Sequence, residues 1–93
     1  MSETLTTTVT VNNKYGIHNR PSVLVAKKAA TFDADIRLRA GNKEADARSV
    51  MQIMILAAVC GTQLEVTATG PDAARAIEDM AALLESDFDE AYR

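Results

Sequence analysis

The hydrophobic periodicity of this chain predicts an α+β fold, a two-layer open-faced sandwich in the order βαββαβα. Three observations carry that expectation. Four stretches alternate apolar and polar residues with a period of two, and three others place apolar residues at helical spacing. Glycine, proline or asparagine stands at most of the junctions between them. A four-stranded, mostly antiparallel sheet covered on one face by three helices accommodates such an order in a single layer pair.

Leu5, Thr7, Val9 and Val11 alternate with Thr6, Thr8 and Thr10, a β-branched pattern expected of a strand with one buried face. The run Asn12-Asn13-Lys14-Tyr15-Gly16 should turn the chain. Pro21 suits the first turn of a helix, where its missing N–H costs nothing, and the helix should continue through Val23 to Ala30. From Ala34 to Ala40, Ile36 and Leu38 face one way and Asp35, Arg37 and Arg39 the other. Gly41-Asn42 then tolerates the positive φ of a tight turn, so Lys43 to Ala47 should return as a short polar edge strand.

Ser49 is a candidate N-cap for a helix from Val50 to Ala58, which Gly61 should stop. Leu64, Val66 and Ala68 alternate with Glu65, Thr67 and Thr69 in the fourth strand. In the last helix Pro71 should take the first position and Asp72 the positive end, with Ile77, Met80, Ala81 and Leu84 as the apolar stripe. Phe88-Asp89-Glu90 reads as a short acidic tail.

A chain of 93 residues, 47% of them hydrophobic, has material for one core, so residues 1–93 are expected to form a single domain. The formal charge of −3 is unevenly spread: residues 1–48 hold eight Lys/Arg against five Asp/Glu, and residues 49–93 two against eight. Net acidity, two Phe, two Tyr and no Trp argue against nucleic-acid binding, which uses cationic stripes and stacking aromatics. The longest apolar run, Ile53 to Cys60, is well below the roughly 20 residues of a membrane-spanning helix, so no membrane role is expected. With Cys60 as the one cysteine and a Met-Ser-Glu-Thr start, a cytoplasmic location is expected and Cys60 should serve as a small packing residue.

Chemistry concentrates in Gly16-Ile17-His18-Asn19-Arg20-Pro21-Ser22. The only histidine stands just after a turn and at the expected start of a helix, where unpaired N–H groups and the dipole favour an anion by roughly 0.3–1 kcal/mol when exposed. The same field disfavours imidazolium and leaves a neutral nitrogen available as a nucleophile. Arg20 adds a permanent charge and donors for phosphoryl oxygens. With no second histidine and no cysteine pair, neither a metal nor another cofactor is expected.

The segment Gly-Ile-His-x-Arg-Pro resembles the active-site signature of HPr-family phosphocarriers of the phosphoenolpyruvate:sugar phosphotransferase system. The resemblance runs through Ala34-Asp35-Ile36, Ser49-Val50-Met51, Gly61 and Gly70 to about Phe88. It implies a carrier without turnover of its own, which accepts a phosphoryl group on His18 from phospho-Enzyme I and passes it to an EIIA-type protein, with Arg20 as electrostatic partner. It also aligns Ser49 with the family's regulatory phosphorylation site, a target of HPr kinase in some bacteria, although a serine there is first a helix cap. An alternative function is a regulatory docking module controlled by phosphorylation of Ser49 or His18.

Val50, Met51 and Met54 match the family's apolar docking patch. Met51 is the expected contact, Met54 stands between core and surface, and Lys27 and Lys28 would extend a basic rim. Such a carrier is expected to be a monomer in weak, fast-exchanging complexes. The chain departs from the family at Asn19, at Ser22 and at Ala57-Ala58, where a glycine more often follows the leucine. Leu56-Ala57-Ala58, Ala68-Thr69-Gly70-Pro71 and Asp87-Phe88-Asp89-Glu90 resemble the nitrogen-related branch, NPr.

Overall fold

The computed structural model describes residues 3–14, 16, 17, 19–86 and 88. Strand β1 spans Glu3–Thr10, helix α1 Asn19–Ala29, β2 Asp35–Ala40, β3 Lys43–Asp46, α2 Val50–Leu56, β4 Gln63–Gly70 and α3 Ala73–Glu85. The expected order of elements is present. All strand pairs are antiparallel, in the order β1-β4-β2-β3, so the two strands farthest apart in sequence, β1 and β4, are neighbours.

Register follows from the alternation. Val9 stands opposite Leu64, Leu5 opposite Ala68, Ile36 opposite Ala68, and Leu38 opposite both Val66 and Ala45. A slip by one residue would turn each of these to water, which is why a sheet with one buried face holds its register firmly. On the other face Thr4 and Thr69 share a hydroxyl hydrogen bond of 3.0 Å, and Thr6 and Thr67 one of 3.2 Å. That face is polar because Thr6, Thr8, Glu65, Arg37 and Arg39 occupy the alternate positions.

The core lies between the sheet and the helices: Leu38, Leu64 and Val66 from the strands meet Val25 of α1, Ile53 of α2 and Met80 and Leu84 of α3, all fully buried or nearly so. Burying one such aliphatic side chain contributes about 1.5–3 kcal/mol. The Gly41-Asn42 turn joins β2 to β3 directly, with Ala40 paired to Lys43 and Gly41 at φ +62.

Four expectations need correction. Helix α2 ends at Leu56, five residues before Gly61, because Ala57 adopts a left-handed conformation at φ +52 and donates its N–H to the Met54 carbonyl at 3.1 Å. Pro71 lies outside α3, whose N-cap is Asp72; the Asp72 side chain serves the neighbouring loop, accepting from the Asp33 N–H at 2.7 Å. Phe88 is buried, so the chain beyond α3 packs onto the core there, while Asp87, Asp89 and Glu90 lie outside the described residues. Cys60 is exposed, its thiol 3.8 Å from the Asn12 carbonyl. No described helix is long and apolar enough to cross a membrane.

Candidate functional site

His18 lies outside the described residues, so the site is built from what precedes and follows it. On the N-terminal side the loop after β1 is pinned to the segment after α2. The Val11 N–H donates to the Thr62 carbonyl at 2.9 Å, and the Val11 carbonyl accepts from the Gly61 N–H at 2.8 Å. Asn13 then closes a four-residue turn: its carbonyl accepts from the Gly16 N–H at 2.9 Å, and its Nδ2 donates to the Gly16 carbonyl at 2.9 Å. The Ile17 N–H donates to the Ala58 carbonyl at 2.8 Å.

Gly16 is required twice over. Its φ of +75 lies in the left-handed region, and a Cβ there would stand 2.6 Å from the Ala58 oxygen. Ile17 is buried, and the chain reaches position 18 from a fixed point.

On the C-terminal side α1 begins at Asn19, two residues before the proline that marks its first turn. That turn carries no acidic residue, and the last turn carries Lys27 and Lys28, the arrangement that complements the helix dipole. Arg20 is exposed on the first turn. Ser22, by contrast, is fully buried with its Oγ unpartnered, as is Oδ1 of Asn13. An unsatisfied buried polar atom costs about 1–3 kcal/mol, so two of them flanking His18 in sequence are exceptions to ordinary packing.

Ser49 caps α2. Its Oγ accepts from the Gln52 N–H at 3.2 Å, and Oε1 of Gln52 accepts from the Asp46 N–H at 2.8 Å, which ties the end of β3 to the start of α2. Of the expected docking residues, Val50, Met51 and Met54 come together with Ile55 around a shallow apolar hollow of about 540 Å³. Met51 is 74% exposed and Met54 40%, which resolves Met54 towards the surface. Lys27 lines a different hollow, with Leu24, Lys28, Thr31 and Leu83.

Reading the sequence missed Ile55 and Val59, each 64% exposed. For Ile55 a signal was available: α2 has seven residues, six of them apolar, and a short helix against a sheet buries only one side. The hydrogen bond from Ile17 to Ala58 was missed because it joins segments more than forty residues apart, and the Asn13 side chain because a turn sequence does not show which of its polar groups is buried. No cluster of three or more metal-ligating side chains exists among the described residues.

Residues 5–86 match the family model described as the PTS HPr component phosphorylation site. The phosphocarrier protein NPr of Escherichia coli is 40% identical over 94% of this chain and 98% of its own length. HPr of Treponema pallidum is 37% identical over 89% and 94% respectively. The crystal structure of HPr from Bacillus anthracis superposes with a TM-score of 0.84 at 36% identity, covering 87% of this chain and 96% of the other. Signature, strand order and full-length similarity coincide, and the chain belongs to the HPr family of phosphocarrier proteins of the phosphotransferase system.

Proposed function

We propose that the chain accepts a phosphoryl group on His18 from phospho-Enzyme I and delivers it to an EIIA-type protein, working as a monomeric carrier rather than a turnover enzyme. The carrying observation is the acid-free first turn of α1, which starts on the residue after His18 within a segment matched by the family model. In each transfer an imidazole nitrogen bonds to phosphorus as the bond from phosphorus to the donor breaks; the next acceptor reverses the roles. Arg20 supplies fixed positive charge to the phosphoryl oxygens.

The apolar hollow on α2 serves docking. Flexible thioethers at Met51 and Met54 adapt to a donor and an acceptor of different shape, and Val50 and Ile55 complete the lining of the hollow. Lys27 offers positive charge on α1 to an acidic partner. Regulation by a kinase acting on Ser49 fits the same reading, because a phosphate there would add about −1.5 to −2 charge beside Val50 and Met51.

The test is intact-protein mass after incubation with phosphoenolpyruvate, Mg²⁺ and catalytic Enzyme I, beside a His18→Ala variant. One added phosphoryl group, acid-labile and absent from the variant, is expected. No modification where Enzyme I charges a control carrier overturns the reading.

A further inference from the structure

We infer that Asn13 is a positioning residue for phosphoryl acceptance: its buried carboxamide clasps the turn that delivers the chain to His18. The inference rests on the carrier function proposed above.

Asn13 and Gly16 are joined twice in opposite senses, by the Gly16 N–H to the Asn13 carbonyl and by Asn13 Nδ2 to the Gly16 carbonyl, each at 2.9 Å. The first bond is available to any residue at position 13; the second needs a side-chain donor of this length. Packing alone does not account for the amide. Asn13 has no exposed surface and its Oδ1 finds no partner, so a small apolar side chain would avoid a buried orphan acceptor. What the amide supplies is the Nδ2 donor, and that donor is spent on the carbonyl two residues before His18.

The rest of the loop is held from outside, at Val11 by Thr62 and Gly61 and at Ile17 by Ala58. Between those points the Asn13 side chain ties the turn to itself, Nδ2 donating to the Gly16 carbonyl at 2.9 Å. Without it the turn keeps its ends but loses the hydrogen bond that orients the Gly16 carbonyl. In-line transfer between two proteins is sensitive to the aim of the acceptor, whereas the hollow on α2 is lined by Val50, Met51, Met54 and Ile55, none of them in this turn.

The experiment measures phosphoryl acceptance from phospho-Enzyme I by rapid quench for the native chain, Asn13→Ala and Asn13→Asp. The aspartate variant keeps the shape while its ionised carboxylate has no donor; both are verified as folded by far-ultraviolet circular dichroism. A fall in kcat of about ten- to a hundredfold, with KM for Enzyme I within about twofold, is expected for both. Unchanged kcat in either folded variant, or a loss confined to KM, overturns the assignment. Failure of the native chain itself to accept phosphate would instead overturn the proposed function.

Discussion

At the scale of single residues, the conformation of Ala57 makes the sharpest statement. A left-handed φ of +52 brings Cβ into conflict with the backbone, and glycine avoids that cost. Ala57→Gly is therefore expected to stabilise the protein by about 0.5–1 kcal/mol, read as a higher urea midpoint at unchanged slope. A lower midpoint would show that helix propensity, not the cap, dominates there. Gly16→Ala should act in the opposite sense. Its Cβ would meet the Ala58 oxygen at 2.6 Å in a backbone conformation unsuited to alanine, so a loss of about 2 kcal/mol or more is expected, together with slower phosphoryl acceptance. A stability within 0.5 kcal/mol of the native chain, on the order of ordinary surface substitutions, would mean that the loop yields without cost.

At the scale of elements, α2 has two separable jobs. Its start is held by Ser49, and Ser49→Ala should cost about 1 kcal/mol in chemical denaturation through the loss of the Gln52 N–H acceptor. In the proposed function its exposed side docks, so Met51→Asp, at a residue 74% exposed, should leave stability within about 0.5 kcal/mol yet raise KM with Enzyme I about tenfold or more. An unchanged KM would remove Met51 from the docking surface. The strands were legible from sequence because burial alternates along them in step with residue type, as Ile36 and Leu38 against Arg37 and Arg39 show. The ends of the helices were less so. Gly61 looked like the terminator of α2 because glycine favours positive φ, but the chain turned at Ala57, where local preference predicts continued helix and the Ile17–Ala58 hydrogen bond rewards departure. The candidate chemical centre from Gly16 to Pro21 and the Asn13–Gly16 turn are local in sequence, whereas the hydrogen bond from Ile17 to Ala58 joins segments that no local pattern connects.

At the scale of the molecule, closure of the core depends on a residue that composition hides. Phe88 sits among Asp87, Asp89 and Glu90, and a window of that charge reads as solvated chain. Yet Phe88 is 2% exposed, and just before it the C-terminal end of α3 is tied to the loop after β1 by Asn12 Nδ2, which donates to the Glu85 carbonyl at 2.8 Å. A domain of this length has a total stability of roughly 5–14 kcal/mol, and truncating a buried phenylalanine typically removes about 3–5 kcal/mol, a share large enough to govern the whole transition. Phe88→Ala is accordingly expected to lower the urea midpoint by about a fifth or more of its native value, with the transition remaining cooperative. Below the transition, phosphoryl acceptance by the folded fraction should stay near native. A loss of less than about 1 kcal/mol would mean that the core closes without this residue, since a buried aromatic ring contributes well above that amount.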